Sequence, residues 1–252
     1  NWFTANEAAG DPTHRPVGWA GQHWSPAIEG EALACRDRVA LFDETSFSKM
    51  EVSGPGAAAF LNQVCANEVD RAIGSVTYTQ LLNDRGGIEC DLTATRLAAD
   101  RYLLVTGTAF GNHDLSWIRK QADRLPEAAG ADARDVTAAW SCFGLWGPAA
   151  REVLQPLTRT TLANEAFPYL TAQSLSLGAV PVLAVRVTFV GELGWELYCP
   201  TEYGATLWEL LWAAGEQHGL VAGGYWLPSA PPVWLAVLIA GRKLSGLRRT
   251  LR

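Results

Sequence analysis

Val76-Thr77-Tyr78-Thr79-Gln80-Leu81-Leu82, followed by Asn83-Asp84-Arg85-Gly86-Gly87 and then Ile88-Glu89-Cys90-Asp91-Leu92-Thr93, is the stretch that decides the class of fold. The first seven residues alternate and are β-rich, which predicts a strand. The Asn-Asp-x-Gly-Gly run is a strong reversal signal. Ile88–Leu97 is the returning strand, and Arg101–Thr106 is a third after a turn at Asp100. Strands joined by short turns form an antiparallel meander, which needs no crossover helix. A period of two puts Ile88, Cys90 and Leu92 on one face and Glu89, Asp91 and Thr93 on the other. On spacing alone those carboxylates belong to a solvent-facing strand edge.

Working outward, helical spacing appears at Ile28–Val39, Ala57–Val64, Asn112–Leu125, Pro148–Leu154 and Tyr203–His218. Leu115, Ile118, Ala122 and Leu125 form one apolar stripe, and Pro126 stops that helix. Further strands are expected at Ala40–Asp43, Lys49–Val52, Trp140–Trp146, Val182–Phe189 and Trp195–Tyr198. Hairpins mixed with separated helices make an α+β fold, antiparallel sheets with flanking helices, and not a doubly wound sheet. A second acidic cluster, Gly191-Glu192-Leu193-Gly194-Trp195-Glu196, reads on spacing as a hairpin with solvated acids. Gly54-Pro55-Gly56-Ala57-Ala58-Ala59 loosely matches a dinucleotide fingerprint. Pro55 removes a backbone donor and the neighbouring elements are antiparallel, so a tight strand-to-helix turn is the better reading.

The chain has 252 residues, 48% hydrophobic and 18% charged, so it can build a sizeable core and is not disordered as a whole. Lys and Arg number 20 against 26 Asp and Glu, net −6, with no basic stripe to bind nucleic acid. No apolar run reaches the length of a membrane span, and no signal-peptide pattern opens the sequence. Residues 1–25 read as an irregular arm, and Asn1 in place of an initiator Met is expected of a fragment or processed chain. The five cysteines (Cys35, Cys65, Cys90, Cys142, Cys199) are isolated, which argues against a disulfide framework and a structural zinc site. They and the four scattered histidines read as packing or surface residues, with no metal site, in a reducing, cytoplasmic setting. Residues 226–252 hold five of the 20 basic residues and no acid, leaving 15 basic and 26 acidic residues before them. Such a tail is either a membrane-surface or anion-binding segment or foreign to the fold.

Taken in order, a set of stretches resembles the folate-binding domain of the glycine-cleavage T-protein (aminomethyltransferase) family. These are Asn1-Trp2-Phe3, Glu31 to Arg38, Val39 to Lys49, Val52-Ser53-Gly54-Pro55, Phe60-Leu61-Asn62, Tyr78 to Asn83, Arg85 to Asp91, Val105-Thr106-Gly107, Asp114-Leu115-Ser116-Trp117 and Gly191 to Tyr198. The nearest likeness is the version fused behind the flavin domain in dimethylglycine and sarcosine dehydrogenases. The likeness covers residues 1–225, expected as two intertwined α+β subdomains, with 226–252 an atypical tail. The family's arginine-bearing helix and C-terminal β domain are not matched after Trp226, and that final domain is expected to be missing.

The resemblance implies tetrahydrofolate as cofactor and one-carbon transfer to give 5,10-methylenetetrahydrofolate. It implies Asp91 as the acid–base residue, Glu196 as the carboxylate that holds the pterin, and Tyr78 as a wall of the same pocket. A pterin edge presents adjacent donors that a carboxylate can meet in bidentate fashion. A carboxylate near the reactive nitrogens can take and return a proton, most effectively where burial raises its pKa. Gly107 and Phe189 are cofactor-binding positions that depart from the common T-protein residues, asparagine and tyrosine. The resemblance further implies a methylated-amine-derived one-carbon unit, and FAD on a separate flavin oxidoreductase domain not in this chain. A mitochondrial matrix setting is implied in a eukaryote. Two other readings stay open: a stand-alone aminomethyltransferase, and a folate-binding module without catalysis.

Overall fold

The computed structural model describes residues 26–224, with side chains from Gly30 onward; the N-terminal arm and the basic tail lie outside them. The helices are α1 (Pro26–Asp37), α2 (Ala57–Val64), α3 (Gly111–Ala122), α4 (Ala150–Leu154) and α5 (Gly204–Gly215). The strands are β1 (Ala40–Asp43), β2 (Ser48–Ser53), β3 (Val76–Leu82), β4 (Ile88–Ala98), β5 (Arg101–Thr106), β6 (Asp132–Asp135), β7 (Trp140–Trp146), β8 (Thr171–Leu177), β9 (Val180–Arg186), β10 (Gly194–Pro200) and β11 (Val221–Gly223). This is the expected α+β class. Three strands were not expected from the sequence, namely β6, β8 and β11, and β9 stops at Arg186, short of Phe189.

Strands β2 to β6 form a five-stranded antiparallel sheet in the order β3-β4-β5-β2-β6. The others form a six-stranded sheet, β11-β1-β7-β10-β9-β8, in which only the β1–β11 pair is parallel. At the predicted reversal, Asn83 Oδ1 accepts from the amides of Arg85 at 3.0 Å and Gly87 at 2.9 Å. That pair of bonds closes the β3–β4 hairpin.

Alternation sorts each strand between two layers. In the five-stranded sheet Val52, Leu92, Tyr102 and Leu104 pack with Phe60 and Leu61 of α2 and Ile118 of α3. In the six-stranded sheet Leu41, Leu145, Trp195 and Leu197 pack with Val153 of α4 and Leu207 and Leu211 of α5. The opposite faces meet each other: Val76, Leu103 and Val105 lie against Ala172, Val185, Val187 and Tyr198. The order is therefore helices, sheet, sheet, helices, and central strands such as β5 and β7 are buried on both faces.

The sheets are stitched together at one edge. Ser75 bridges Thr171, the Val76 amide donates to the Leu170 carbonyl at 2.9 Å, and Ala172 donates to Gly74 at 2.7 Å. Along β3 from that seam, Val76 is fully buried while Tyr78, two residues on and on the same face, is 54% exposed. The space between the sheets is thus closed at Val76 and open at Tyr78.

The strand-to-helix turn at Gly54-Pro55-Gly56 serves packing. Gly54 has φ +117°, and a Cβ there would fall 1.9 Å from the Gly130 carbonyl oxygen. Only glycine fits that left-handed, backbone-against-backbone contact.

Candidate ligand-binding site

The hydrogen-bond register of the six-stranded sheet aligns one row of residues across five strands and onto β11. Ala172 faces Val185, Val185 faces Glu196, Glu196 faces Gly144, Gly144 faces Phe42, and Phe42 faces Gly223. Directly paired residues share a face, so this row looks across at the five-stranded sheet. Glu196 is its single acid among small and apolar neighbours. Gly144 has its own reason to lack a side chain: a Cβ would lie 2.5 Å from the Trp146 ring and 3.0 Å from Glu44 Oε2. Trp146 is fully buried, its indole N–H donates to the Val187 carbonyl at 3.0 Å, and its ring stands 5.3 Å from Phe42.

A polar cluster surrounds Glu196. The Tyr198 hydroxyl donates to Glu196 Oε2. Lys49, without exposed surface, donates from Nζ to the carbonyls of Thr45 at 3.0 Å and Phe47 at 2.8 Å. Glu44 is 3% exposed, and its Oε2 has no hydrogen-bond partner among the described residues. Burial holds the Glu196 carboxyl above its ordinary range, opposed by the Tyr198 hydrogen bond and the Lys49 charge. Burial pushes Glu44 well up, and the neighbouring Glu196 adds to that while Lys49 opposes it. Lys49 is lowered by burial, although Cys142, Glu44 and Glu196 favour its charge. Glu196 keeps part of its surface open, so it is reachable from the gap.

The facing sheet supplies the second group. Tyr78 on β3 donates its hydroxyl to Asp91 Oδ2 on β4 at 2.7 Å. That bond and burial raise the Tyr78 phenol, the bond more strongly. Asp91 is exposed, against the burial that would best tune an acid–base carboxyl. Its strand is anchored behind it: the single Thr106 Oγ1 proton goes to the buried Asp114 Oδ2 at 2.8 Å, with the Asp91 carbonyl at 3.3 Å as its weaker, shared acceptor.

The structure therefore joins Tyr78 to Asp91 directly and places Glu196 on the opposing sheet, less exposed and hydrogen-bonded to Tyr198. Glu196 corrects its spacing-based reading as a solvated acid. Glu192 corrects the same reading differently, because it pairs with Arg36 of α1. Gly107 sits after β5 beneath the ring of Phe110, which is 61% exposed; a Cβ there would lie 3.3 Å from that ring. Phe189 is 57% exposed on the loop between β9 and β10, outside the strand where it was expected. Glu44 and Lys49 lie in a stretch that carries the family likeness, which gives them no role, and Gly144 lies outside the matching stretches.

A cavity of about 370 Å³ lies elsewhere, lined by Asp43, Thr45, Ser141, Phe143, Thr201 and Trp208 among others. Among the described residues no group of three or more His, Cys, Asp or Glu is placed to hold a metal ion. No helix among them is long and apolar enough to cross a membrane.

Comparison with known proteins gives one consistent answer. The family described as the GCVT N-terminal domain matches residues 1–226. Dimethylglycine dehydrogenase, mitochondrial, of Rattus norvegicus is 32% identical over 87% of this chain and 25% of that protein. Sarcosine dehydrogenase, mitochondrial, of Mus musculus is 36% identical over 79% of this chain and 23% of that protein. The chain thus spans about a quarter of the length of these curated relatives. The glycine cleavage system aminomethyltransferase T of Bartonella henselae superposes with a TM-score of 0.68 at 24% identity, over 90% of this chain and 59% of that one. The match over residues 1–226 and the shared α+β architecture establish that this chain belongs to the glycine-cleavage T-protein (aminomethyltransferase) family.

Proposed function

We propose that this chain binds tetrahydrofolate between its two sheets and transfers a one-carbon unit to it, giving 5,10-methylenetetrahydrofolate. The carrying observation is the arrangement of acids: a half-buried Glu196, its anion favoured by the nearby Lys49 charge, on the inner face of one sheet, and an open Tyr78–Asp91 pair on the inner face of the other. The chemistry of this donor and acceptor set fits a pteridine. Such a ring is flat, which suits a gap between sheets, and its edge carries adjacent N–H donors for one carboxylate. Glu196, steadied by Tyr198, would hold that edge. Tyr78 would supply an aromatic wall and fix the Asp91 carboxylate through its hydroxyl. Asp91, exposed at the mouth of the gap, can exchange a proton with solvent and pass it to a reacting nitrogen.

In this reading the folate supplies the nucleophilic nitrogens, and the protein orients them and manages the proton. The one-carbon unit comes from a methylated amine oxidised on a flavin-bearing domain, as in proteins of the dimethylglycine and sarcosine dehydrogenase kind. The setting is cytoplasmic, or mitochondrial as the names of the rat and mouse relatives state.

Calorimetric titration of tetrahydrofolate into the chain tests the reading. Micromolar affinity, about −8 kcal/mol, that Glu196→Ala abolishes supports it. A folded chain that binds no reduced folate overturns it.

A further inference from the structure

From the placement of its unpartnered oxygen we infer that Glu44 is a second ligand-recognising group, a neutral carboxyl that donates a hydrogen bond to an acceptor on the ring edge bound by Glu196. The inference rests on the reading that Glu196 holds the pteridine of a reduced folate, and it goes further in assigning a second residue to the recognition of that ring's edge.

Three observations carry it. First, Glu44 is 3% exposed and its Oε2 has no partner among the described residues, a costly arrangement for a buried polar atom. Second, that oxygen lies 3.0 Å from the position of a Cβ on Gly144, and Gly144 is the direct cross-strand partner of Glu196. The missing side chain at Gly144 brings the two carboxyls onto the same small floor, with the Trp146 ring at its other side. Third, one ammonium serves two acids. Lys49 has already committed two of its three protons to the carbonyls of Thr45 and Phe47.

The titratable groups around Glu44 are Glu196 and Tyr198 on β10, Lys49 on β2, Cys142 on β7 and the adjacent Asp43. Two ionised carboxyls beside one cation would leave net negative charge in a poorly solvated space, so the pair retains one proton. Glu196 has the Tyr198 hydroxyl and Lys49 to favour its anion. Glu44 has burial and Glu196 against its anion, so the proton resides on Glu44.

A carboxylate beside a carboxylic acid reads an edge with donors next to an acceptor. That is the lactam edge of a 2-amino-4-oxopteridine: two N–H donors for Glu196 and the 4-oxo group for Glu44. A 2,4-diaminopteridine lacks the N3 proton that Glu196 reads and would also set its 4-amino donor against the Glu44 donor, so it is disfavoured at both carboxyls.

The test is calorimetric titration of tetrahydrofolate and of its 4-amino analogue into the 252-residue chain and its variants. The wild type is expected to prefer the 4-oxo ligand by about tenfold or more, the scale of one neutral hydrogen bond made against one opposed. Glu44→Leu, which swaps a buried carboxyl for a side chain of similar size, is expected to narrow that preference to the part Glu196 supplies through the N3 proton, while keeping its near-ultraviolet dichroism. Glu44→Gln, whose amide N–H can donate in place of the carboxyl proton, is expected to restore it. Wild-type affinities and preference in Glu44→Leu would overturn the inference, and loss of all binding in Glu196→Ala would then leave the folate reading standing. Failure of the wild type to bind either pteridine would overturn both.

Discussion

Gly144→Ala tests whether the floor of the site is as closely packed as its register implies. The backbone at Gly144 does not have a positive φ, so alanine meets no conformational penalty there and only space opposes it. The added Cβ would come within 2.5 Å of two Trp146 ring atoms and 3.0 Å of Glu44 Oε2. Neither neighbour yields easily. Trp146 is fully buried, tied by its N–H to Val187 and packed on Phe42. Its far edge leaves no room at Gly194, where a Cβ would fall 2.3 Å from the indole. Overpacking of this kind costs up to about 3 kcal/mol. The smaller entropy of an unfolded chain with alanine returns about 0.5–1 kcal/mol, leaving a net loss of about 2 kcal/mol. For a chain of this size that lowers the Tm by about 4–8 °C. Scanning calorimetry reads it directly, with Gly30→Ala as the internal comparison. Gly30 is an exposed residue of α1 with nothing within 4 Å of its would-be Cβ, so alanine there raises stability by about 0.5–1 kcal/mol. A Gly144→Ala protein that melts at or above the wild-type temperature would refute the packing argument, and with it the closeness of Glu44 to Glu196.

Other outcomes follow from the same contacts. Glu44 has a raised folded pKa, so its contribution is fully present below its unfolded value near 4.5 and is lost as pH rises through the folded value. Glu44→Gln should therefore flatten the fall in urea midpoint measured from pH 4.5 upward; an unchanged slope would show that Glu44 does not titrate with folding. Asp91→Asn should slow one-carbon transfer by roughly 10²–10⁴-fold, read by formation of methylenetetrahydrofolate, with the urea midpoint little changed because the side chain is exposed; full-rate transfer would remove its acid–base role. Trp146→Phe deletes the bond to the Val187 carbonyl and part of a buried ring. It should cost about 2–4 kcal/mol by chemical denaturation, and a loss below about 1 kcal/mol would contradict the tight packing seen around the indole.

Much of this was legible in the sequence because local and global signals agree. The β3–β4 hairpin announces itself through alternation and the Asn83–Gly87 reversal, and α3 through its Leu115 and Ile118 stripe. The strands that escaped notice are edges or near-edges: β6 reads Asp-Ala-Arg-Asp, β8 alternates weakly through Gln173, Ser174 and Ser176, and β11 has three residues. Edge strands are short and polar because a long apolar edge would invite aggregation, and that protection erases the strand signal. In the site, Tyr78, Asp91 and Glu196 were reachable through the family likeness. Lys49 ends one of the matching stretches but gained no role from it, because alternation with Met50 and Val52 puts it on the outward face of an isolated strand. The second sheet covers that face, which no local pattern records. Glu44 and Gly144 are distant in sequence and acquire meaning only through the pairing of β1, β7 and β10.

The division of the strands also fixes an order of assembly. Residues 48–135 contain every strand of the five-stranded sheet, and β3, β4 and β5 within it pair in chain order through short turns, while β2 joins β5 and β6 across longer connections. The six-stranded sheet instead holds β1 against β7, about a hundred residues later, and against β11 at residue 221. Short loops close at lower entropic cost than long ones, so the meander is the early structure and β1 waits for the C-terminal strands. Glu44, Lys49 and Glu196 come into register only when that wait ends. Hydrogen exchange should accordingly find the β1 and β11 amides opening before those of β4 and β5, with the acid cluster dismantled while the hairpin that carries Tyr78 and Asp91 is still intact.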